Sequence, residues 1–168
     1  MSETKRATMA EQPVNETDYV QLSRLVIEHA WKADNGQADT THELYIDDGE
    51  LVLPPGPIHG REALREWGRQ IVDNTPWRTI RHVCGNMRFV YDGDDNNAAI
   101  GTTILTVFMV ADEQAATTVP YNVGEDHDRF LRTEQGWRFV SRRWVELFAR
   151  GDTLNLPSRE SRVKGTKR

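Results

Sequence analysis

The chain has 168 residues, of which 38% are hydrophobic and 28% are charged, a composition typical of a globular protein with its own core. Its 21 Lys and Arg against 26 Asp and Glu give a net charge of −5, which argues against a general nucleic-acid binder. One cysteine permits no internal disulfide, and no apolar segment is long enough for secretion or a membrane span, so we expect a cytoplasmic protein.

Polar segments without hydrophobic periodicity lie at both ends of the chain. Residues 1–15 are predicted to form a flexible tail, and residues 151–168 a flexible basic tail. Between them we find no internal repeat. Residues 16–150 are therefore predicted to fold as a single domain.

The first half of this domain is predicted to be rich in helices. Apolar residues at three-to-four spacing predict a helix over residues 17–33, which Asn15 or Thr17 can cap. A short second helix is expected near residue 40, and a third over residues 60–73. Between these two, residues 50–53 are predicted as a brief strand that a proline-rich stretch ends.

The spacing of the hydrophobic residues changes after Trp77, where β-branched and aromatic residues dominate. Four strands are predicted, over residues 78–91, 97–111, 115–133 and 137–149. Turn-forming residues separate the first two and the last two, as in hairpins. Helices followed by antiparallel strands predict an α+β domain, with the helices packed on one face of a curved sheet. A doubly wound parallel sheet is excluded, because no helices alternate with these strands.

Several segments occur in the order found in one known superfamily. They are the end of the first helix at 34–36 and the stretches 44–51, 54–63, 79–86 and 136–143. In these segments the chain resembles the SnoaL-like branch of the nuclear transport factor 2-like superfamily. The resemblance implies a cone in which a bent antiparallel sheet and three helices enclose a mostly apolar pocket. Function must still be argued from the site.

Within that superfamily the residue pattern is similar to hexachlorocyclohexane dehydrochlorinase and to scytalone and bile-acid dehydratases. Those enzymes use an Asp at the end of the first helix and a His on the first long strand, which here are Asp34 and His82. The dehydrochlorinase also uses an Arg on the last strand, which Arg142 matches. Two positions depart from the pattern, since His29 replaces a Tyr and Asp126 replaces an aromatic residue.

The three matched residues permit acid–base chemistry. A carboxylate beside an imidazole fixes its tautomer and stabilises the imidazolium, so Asp34 and His82 are predicted to act as a general base. Arg142 is predicted to hold a developing anion, and the chemistry requires no metal or redox cofactor. The alternatives are that His82 is a structural residue, that Asp34 only ends its helix, and that Arg143 rather than Arg142 faces inward.

Other residues are expected to contact a substrate. The resemblance places the Thr103 and Leu105 strand face inside the cone, and Asn86 shares the strand parity of His82. Asp126, His127 and Asp128 resemble metal ligands only superficially, and solvated strand charges are the favoured interpretation. His29 has a packed-residue alternative, and Asn86 a structural one. The predicted substrate contacts are His29, Trp31, Asn86, Thr103, Leu105 and Asp126.

These observations favour a lyase or isomerase without a cofactor, acting on a small apolar, aromatic or alicyclic substrate. Dehydration, loss of HX and aldehyde-releasing C–C cleavage all suit the residues. The alternatives are a polyketide cyclase with an essential carboxylate, and a non-catalytic binding or assembly module. We expect a small-molecule substrate, no nucleic-acid or membrane partner, and a homodimer or homotrimer, because the Trp144, Leu147 and Phe148 segment offers apolar area.

Overall fold

A computed structural model describes residues 11–74, 80–94, 96–110 and 119–149. The predicted helices are present with small shifts of their ends. The Asn15 side chain accepts a hydrogen bond from the Asp18 backbone N–H, 2.8 Å away, and so caps the first helix. The three helices are α1 (Glu16–Asp34), a 3₁₀ helix (Ala38–Leu44) and α2 (Arg61–Asn74). No described helix is long and apolar enough to cross a membrane.

The described residues form six strands: β1 (Tyr45–Leu53), β2 (Gly56–His59), β3 (Ile80–Tyr91), β4 (Ala98–Met109), β5 (Asn122–Thr133) and β6 (Gly136–Ala149). They make one sheet in the order β2-β1-β6-β5-β4-β3. The four long predicted strands correspond to β3 to β6, but β5 begins at Asn122 rather than at residue 115. Residues 78–79, 111 and 115–118 of these predictions lie outside the described residues. All neighbouring strands pair antiparallel except β1 and β6, which are parallel, so the expectation of a wholly antiparallel sheet is wrong at this pair.

Strand β2 was not predicted, because its proline was taken as a stop signal. The chain turns at Pro54 and Pro55 and returns along β1, with Pro57 opposite Val52. A proline is tolerated there because β2 is an edge strand, where its missing N–H costs no ladder hydrogen bond.

Residues 11–15 lie along β3, so the prediction of a flexible tail over 1–15 is wrong for this part. The Tyr91 N–H donates to the Gln12 carbonyl (2.9 Å), and the Val14 N–H donates to the Phe89 carbonyl (3.3 Å). Residues 1–10 and 151–168, the rest of the predicted tails, lie outside the described residues.

The core lies between the helices and the concave face of the sheet. α1 packs on β3 and β6, while α2 packs on the 3₁₀ helix and β1. Gly68 permits the contact of α2, since a Cβ there would meet the Ala38 carbonyl oxygen at 2.1 Å. The largest fully buried apolar side chains include Leu22, Val26, Tyr45, Leu64, Phe130 and Phe139.

Two register shifts decide which strand residues point inward. On β6, Phe139 pairs with Phe130, but Ser141 pairs with Arg129, so one residue is extra. Inward positions therefore change from odd to even numbers, and Arg142 is buried while Arg143 is exposed. The expectation that Arg142 faces inward thus agrees with the structure. A similar shift occurs on β3 between residues 85 and 88.

Candidate active site

The concave face of the sheet and the helices bound a cavity of about 290 Å³. Its wall is mostly apolar, as expected. Gly124 makes room for one aromatic wall residue, because a Cβ there would lie 2.6 Å from the Trp144 ring. The apolar lining residues include Ala30, Ala33, Leu51, Leu53, Trp67, Ile71, Ile80, Leu105, Val107, Met109 and Trp144. Polar groups enter the wall at His29, His82, Tyr121, Asn122, Asp126 and Arg142.

The structure brings Asp34 and His82 together, as predicted. Asp34 ends α1 and is 6% exposed, and its Oδ2 accepts the backbone N–H of His82 at 2.8 Å. The Asp34 Oδ1 lies 2.5 Å from Nδ1 of the His82 ring. Because a carboxylate accepts, this contact places the ring proton on Nδ1 and leaves Nε2 unprotonated in the neutral ring. His82 lines the cavity, whereas Asp34 supports it from outside the wall.

A buried ion-pair cluster occupies another part of the wall. Arg142 is 3% exposed and donates from Nε and Nη2 to the two carboxylate oxygens of Asp128, each at 2.9 Å. Its Nη2 also lies 3.6 Å from Oδ2 of Asp126. The guanidinium carbon stands 4.5 Å from the ring centre of Phe139. Two carboxylates thus share one cation away from water.

This arrangement raises the pKa of Asp126. Burial is the largest cause and raises the pKa of this carboxyl from 3.8 to about 6, although the Arg142 charge opposes the shift. The nearby charge of Asp128 raises it further. Asp128 already accepts the bidentate pair, so Asp126 is the carboxyl of this cluster that can hold a proton near neutral pH.

His29 and Tyr45 form a second buried polar pair. The Nε2 atom of His29 lies 3.1 Å from the Tyr45 hydroxyl, and both rings pack edge-on or tilted against Phe139. Burial lowers the pKa of His29 well below its usual 6.5, and the Arg142 charge lowers it further. Burial raises the pKa of the Tyr45 hydroxyl. Both side chains are therefore neutral at physiological pH.

Three predicted substrate contacts do not line the cavity. Trp31 is 49% exposed, because it lies off the α1 stripe that carries His29 and Ala30. Asn86 is exposed with φ of +45°, because it sits at the β3 register shift that interrupts strand parity. Thr103 is fully buried but is not part of the cavity wall. Leu105, His29 and Asp126 do line it.

The strand charges at 126–128 were interpreted incorrectly. Asp126 and Asp128 are buried rather than solvated, and only His127 is exposed, where it contacts Glu125. The part of the chain that the structure describes holds no group of three metal-ligating side chains. Asp128 and Tyr45 were missed as site residues. Pairing the residues of the two strands outward from the β5–β6 turn places Asp128 opposite residue 141. This position is next to Arg142 and so indicates the ion-pair partner of Asp128.

Cys84 also faces the inner side of β3, but it is not a nucleophile candidate. Burial raises the pKa of its thiol to about 11, so little thiolate is present at neutral pH. The thiol packs against the core instead.

Comparison with known proteins agrees with this architecture. A proposed scytalone dehydratase from Novosphingobium aromaticivorans has a TM-score of 0.63 and 15% identity, over 79% of this chain and 85% of that one. A proposed dehydratase of the NTF2-like family from Streptomyces avermitilis has a TM-score of 0.65 and 18% identity, over 81% of this chain and 100% of that one. A protein of unknown function with a cystatin-like fold from Nostoc punctiforme has a TM-score of 0.67 and 17% identity, over 86% and 98% of the two chains.

These structural likenesses establish the fold alone, and among curated proteins none matches the chain in sequence. The family model for the SnoaL-like domain matches residues 16–143, which extend from α1 into β6 and include Asp34, His82 and Arg142. Because this match covers most of the chain, the protein belongs to the SnoaL-like family and has the nuclear transport factor 2-like α+β cone fold.

Proposed function

We propose that this protein is a cofactor-independent lyase or isomerase whose reaction begins when His82 removes a proton from a small apolar substrate. The observation that carries the proposal is the His82 ring, bonded to buried Asp34 and open to an apolar cavity. The same cavity contains Asp126 and Arg142. A base, a proton donor and a cation therefore surround one space large enough for a small ring compound.

The base step uses the unprotonated Nε2 of His82. Among the described residues this atom has no hydrogen-bond partner, and the ring lines the cavity. Nδ1–H donates to Asp34, so the carboxylate stabilises the imidazolium formed when Nε2 accepts the substrate proton. The backbone N–H of His82 holds the Asp34 carboxylate in place, and the carboxylate therefore also keeps the imidazole ring from rotating.

The developing anion would be stabilised by Arg142. Asp128 occupies Nε and Nη2 of the guanidinium, which leaves Nη1 without a partner among the residues that the structure describes. Preorganised donors in a site with little water stabilise an oxyanion strongly and need no reorganisation during the reaction. The apolar wall restricts the substrate to an uncharged ring or chain around that oxygen.

Two outcomes follow from the same carbanion or enolate. In a dehydration, the electron pair forms a C=C bond, the C–O bond breaks, and Asp126 gives its proton to the departing hydroxide, so that water leaves. His82 then returns its proton to Asp126 through solvent. In an isomerisation, His82 returns the proton to a different carbon. The SnoaL-like family includes ketosteroid isomerases and polyketide cyclases, and structural neighbours include proposed dehydratases, which supports this range.

A second candidate is polyketide-cyclase chemistry, and the raised pKa of Asp126 favours it. A carboxylic acid that holds its proton near neutral pH can protonate the alkoxide of an aldol ring closure. This function would require Asp126 and would tolerate loss of His82.

The proposal is tested by proton exchange, which needs no knowledge of the natural substrate. The α-protons of 1-indanone are followed by NMR in D₂O with the protein present. We expect catalysed exchange that falls about a hundred- to ten-thousandfold in His82→Ala, and no change in His59→Ala, an exposed histidine on β2. Loss of water from 3-hydroxycyclohexanone then separates lyase from isomerase chemistry.

Exchange at the wild-type rate in His82→Ala would show that His82 is not the base. If Asp126→Asn alone abolished ring closure of a linear diketone while His82→Ala retained it, the cyclase would replace the lyase or isomerase. The absence of all exchange and elimination in the wild type would favour a non-catalytic binding module.

A further inference from the structure

Asp126 is a buried carboxyl to which no described residue donates a hydrogen bond. Its side chain is 5% exposed and borders the cavity. Nη2 of Arg142 lies 3.6 Å from Oδ2 of Asp126, which is longer than a hydrogen bond. The guanidinium makes its two short contacts to Asp128 instead, each at 2.9 Å. A buried carboxylate without donors is costly, so the oxygens of Asp126 favour a ligand that supplies donors.

The strands on either side of Asp126 leave only the cavity open to it. Thr103 on β4 and Trp144 on β6 are its partners in the sheet register. The Thr103 hydroxyl is buried and has no hydrogen-bond partner in the described part of the chain, so it does not donate to the carboxyl. Trp144 is part of the cavity wall. A carboxylate beside an aromatic wall residue suits a positively charged ligand, because aromatic rings also attract cations.

The charges around the cavity are predominantly negative. Three carboxyls, those of Asp34, Asp126 and Asp128, lie in the wall or directly behind it through their contacts with His82 and Arg142. Arg142 is the one guanidinium among the described residues that line the cavity. With the three carboxyls ionised, these groups carry two excess negative charges when His82 is neutral and one when it is protonated. The cavity therefore favours a cation over an anion.

We propose that the cavity binds small organic cations, in which a protonated amine on an aromatic or alicyclic ring donates hydrogen bonds to the carboxylate of Asp126. The ring fits the apolar wall, which includes Trp67 and Trp144, in a cavity of about 290 Å³. Binding requires no turnover. Under the function proposed above, such a cation is an inhibitor, because it keeps Asp126 ionised and without a proton for the departing hydroxide. That consequence rests on the proposed function, whereas the binding does not.

The ligand cation and a proton compete for the same carboxyl, so binding depends on pH. Burial is the largest cause that raises the pKa of Asp126 to about 6. Burial also lowers the pKa of His29 and raises those of Tyr45 and Cys84, so these three groups are neutral at pH 7. The titratable and charged groups around Asp126 and its cavity are His29 on α1, Tyr45 on β1, His82 and Cys84 on β3, Asp128 and His127 on β5, and Arg142 on β6.

The proposal is tested first on the wild-type protein, with three probes of similar shape whose affinities are measured by NMR titration. The probes are 2-aminoindane, 2-methylindane and indane-2-carboxylate. At pH 7 we expect the amine to bind about ten- to hundredfold more tightly than 2-methylindane, and the carboxylate to bind more weakly than 2-methylindane. From pH 7 to pH 5 the affinity for the amine should fall about tenfold, because Asp126 takes up a proton, while that for 2-methylindane stays constant.

Matched variants then assign the site. Asp126→Asn removes the charge and keeps the shape, so the amine should lose both its advantage and its pH dependence, with 2-methylindane binding unchanged. Glu125→Gln removes the same charge from the adjacent residue, which contacts exposed His127, and should change neither. His82→Ala should keep the preference for the amine and its fall towards pH 5, because the competing proton is on Asp126.

Equal wild-type affinities for the amine and 2-methylindane, failure of the amine to bind, or tighter binding of the carboxylate would overturn the proposal, whether or not Asp126→Asn folds. A preference for the amine that persists in folded Asp126→Asn, or that is lost in Glu125→Gln, would also overturn it. Loss of proton exchange in the assay above with the amine preference retained rejects only the proposed function. Normal exchange without an amine preference rejects only the cation site.

Discussion

Helix α1 carries a buried carboxylate near each end, and the two are surrounded in different ways. Asp18, in the first turn, accepts hydrogen bonds from the Tyr91 hydroxyl (2.6 Å), the Trp137 indole (3.0 Å) and the Arg132 guanidinium (2.6 Å). It is 2% exposed and takes no part in the cavity wall. Among the described residues, the carboxylate of Asp34, the last residue of the helix, accepts from His82 alone, through the backbone N–H and the ring.

The difference shows that burial does not by itself mark a carboxylate as functional. The donors on Asp18 are a phenol, an indole, a guanidinium and the Asn15 amide, and they hold the carboxylate in place by donating hydrogen bonds to it. Burial alone would raise the pKa of Asp18, but the hydrogen bonds from Arg132, Tyr91 and Trp137 outweigh it and hold the pKa below 3.8. The partner of Asp34 is an imidazole, a side chain that can take up and release a proton, and it borders a cavity.

The largest expected effect is a difference in catalytic activity between variants of Asp34 and variants of Asp18. Asp34→Asn and His82→Ala should each lower the rate of α-proton exchange by about a hundred- to ten-thousandfold, since an amide at 34 can donate to Nδ1 and leave the proton on Nε2. The double variant should be little worse than either single one, because both disable one unit. Exchange rates per folded protein, with Asp18→Asn as the control, measure this.

A fully additive double variant would show that Asp34 and His82 act separately. An equal loss of activity in Asp18→Asn, at a temperature where its circular dichroism is native, would remove the distinction between the two ends of the helix.

The same two carboxylates should matter to stability in the opposite order, with Asp18→Asn more destabilising than Asp34→Asn. Asp18→Asn removes the charge that four side-chain donors share and should lower the free energy of unfolding by about 2–4 kcal/mol. Asp34→Asn keeps an acceptor for the His82 backbone N–H and should cost less than half as much. Urea unfolding of both variants at pH 7 checks the order, and a larger loss for Asp34→Asn would contradict it.

The pH dependence of stability should have opposite signs at Asp18 and Asp126. The pKa of Asp18 is lowered on folding, so its contribution is present above the unfolded value of about 3.9 and is lost as pH falls. The pKa of Asp126 is raised to about 6, so the folded protein binds the extra proton between about pH 4 and 6. The wild type therefore loses stability at this site as pH rises through that window.

The sign at each carboxyl is measured from the difference in stability between its Asn variant and the wild type as a function of pH. Urea midpoints from pH 3 to 8 should show the destabilisation in Asp18→Asn shrinking towards pH 3. Asp126→Asn should become more stable relative to the wild type as pH rises from 4 to 7. Parallel curves for the wild type and Asp126→Asn would mean that folding does not change the pKa of Asp126.

The helix ends and the Asp34–His82 contact could be predicted because their signals are local or repeated. Three-to-four spacing and the Asn15 cap located α1 to within one residue at each end. The family resemblance then indicated Asp34 and His82, and the structure places their side chains in contact. Trp31 was predicted from its aromatic character, whereas the same spacing would have excluded it, because it lies off the buried stripe of α1.

The register shifts could not be predicted, and they explain why one choice between neighbouring residues stayed open and why one predicted contact is wrong. Strict alternation gives no reason to place Arg142 rather than Arg143 inside, and the extra residue in β6 decides it. At Asn86 the shift in β3 turns outward a residue that parity had placed inside. Asp128 was assigned to solvent because its partner Arg142 lies on the neighbouring strand, and counting from the β5–β6 turn locates that partner only to within one residue.

The smallest expected effect compares the caps at the two ends of α1. The Asn15 side chain accepts the Asp18 N–H at 2.8 Å and donates to the Tyr91 hydroxyl at 2.9 Å, so Asn15→Ala should cost about 1–2 kcal/mol. Among the described residues the Asn35 side chain donates only to the Trp31 carbonyl, and Asn35 has φ of −115°, which alanine adopts without strain. Asn35→Ala should therefore cost less than about 0.5 kcal/mol, within the range of surface substitutions. Urea midpoints of the two variants measure the difference, and equal losses would show that the polar network around Asp18 does not depend on its cap.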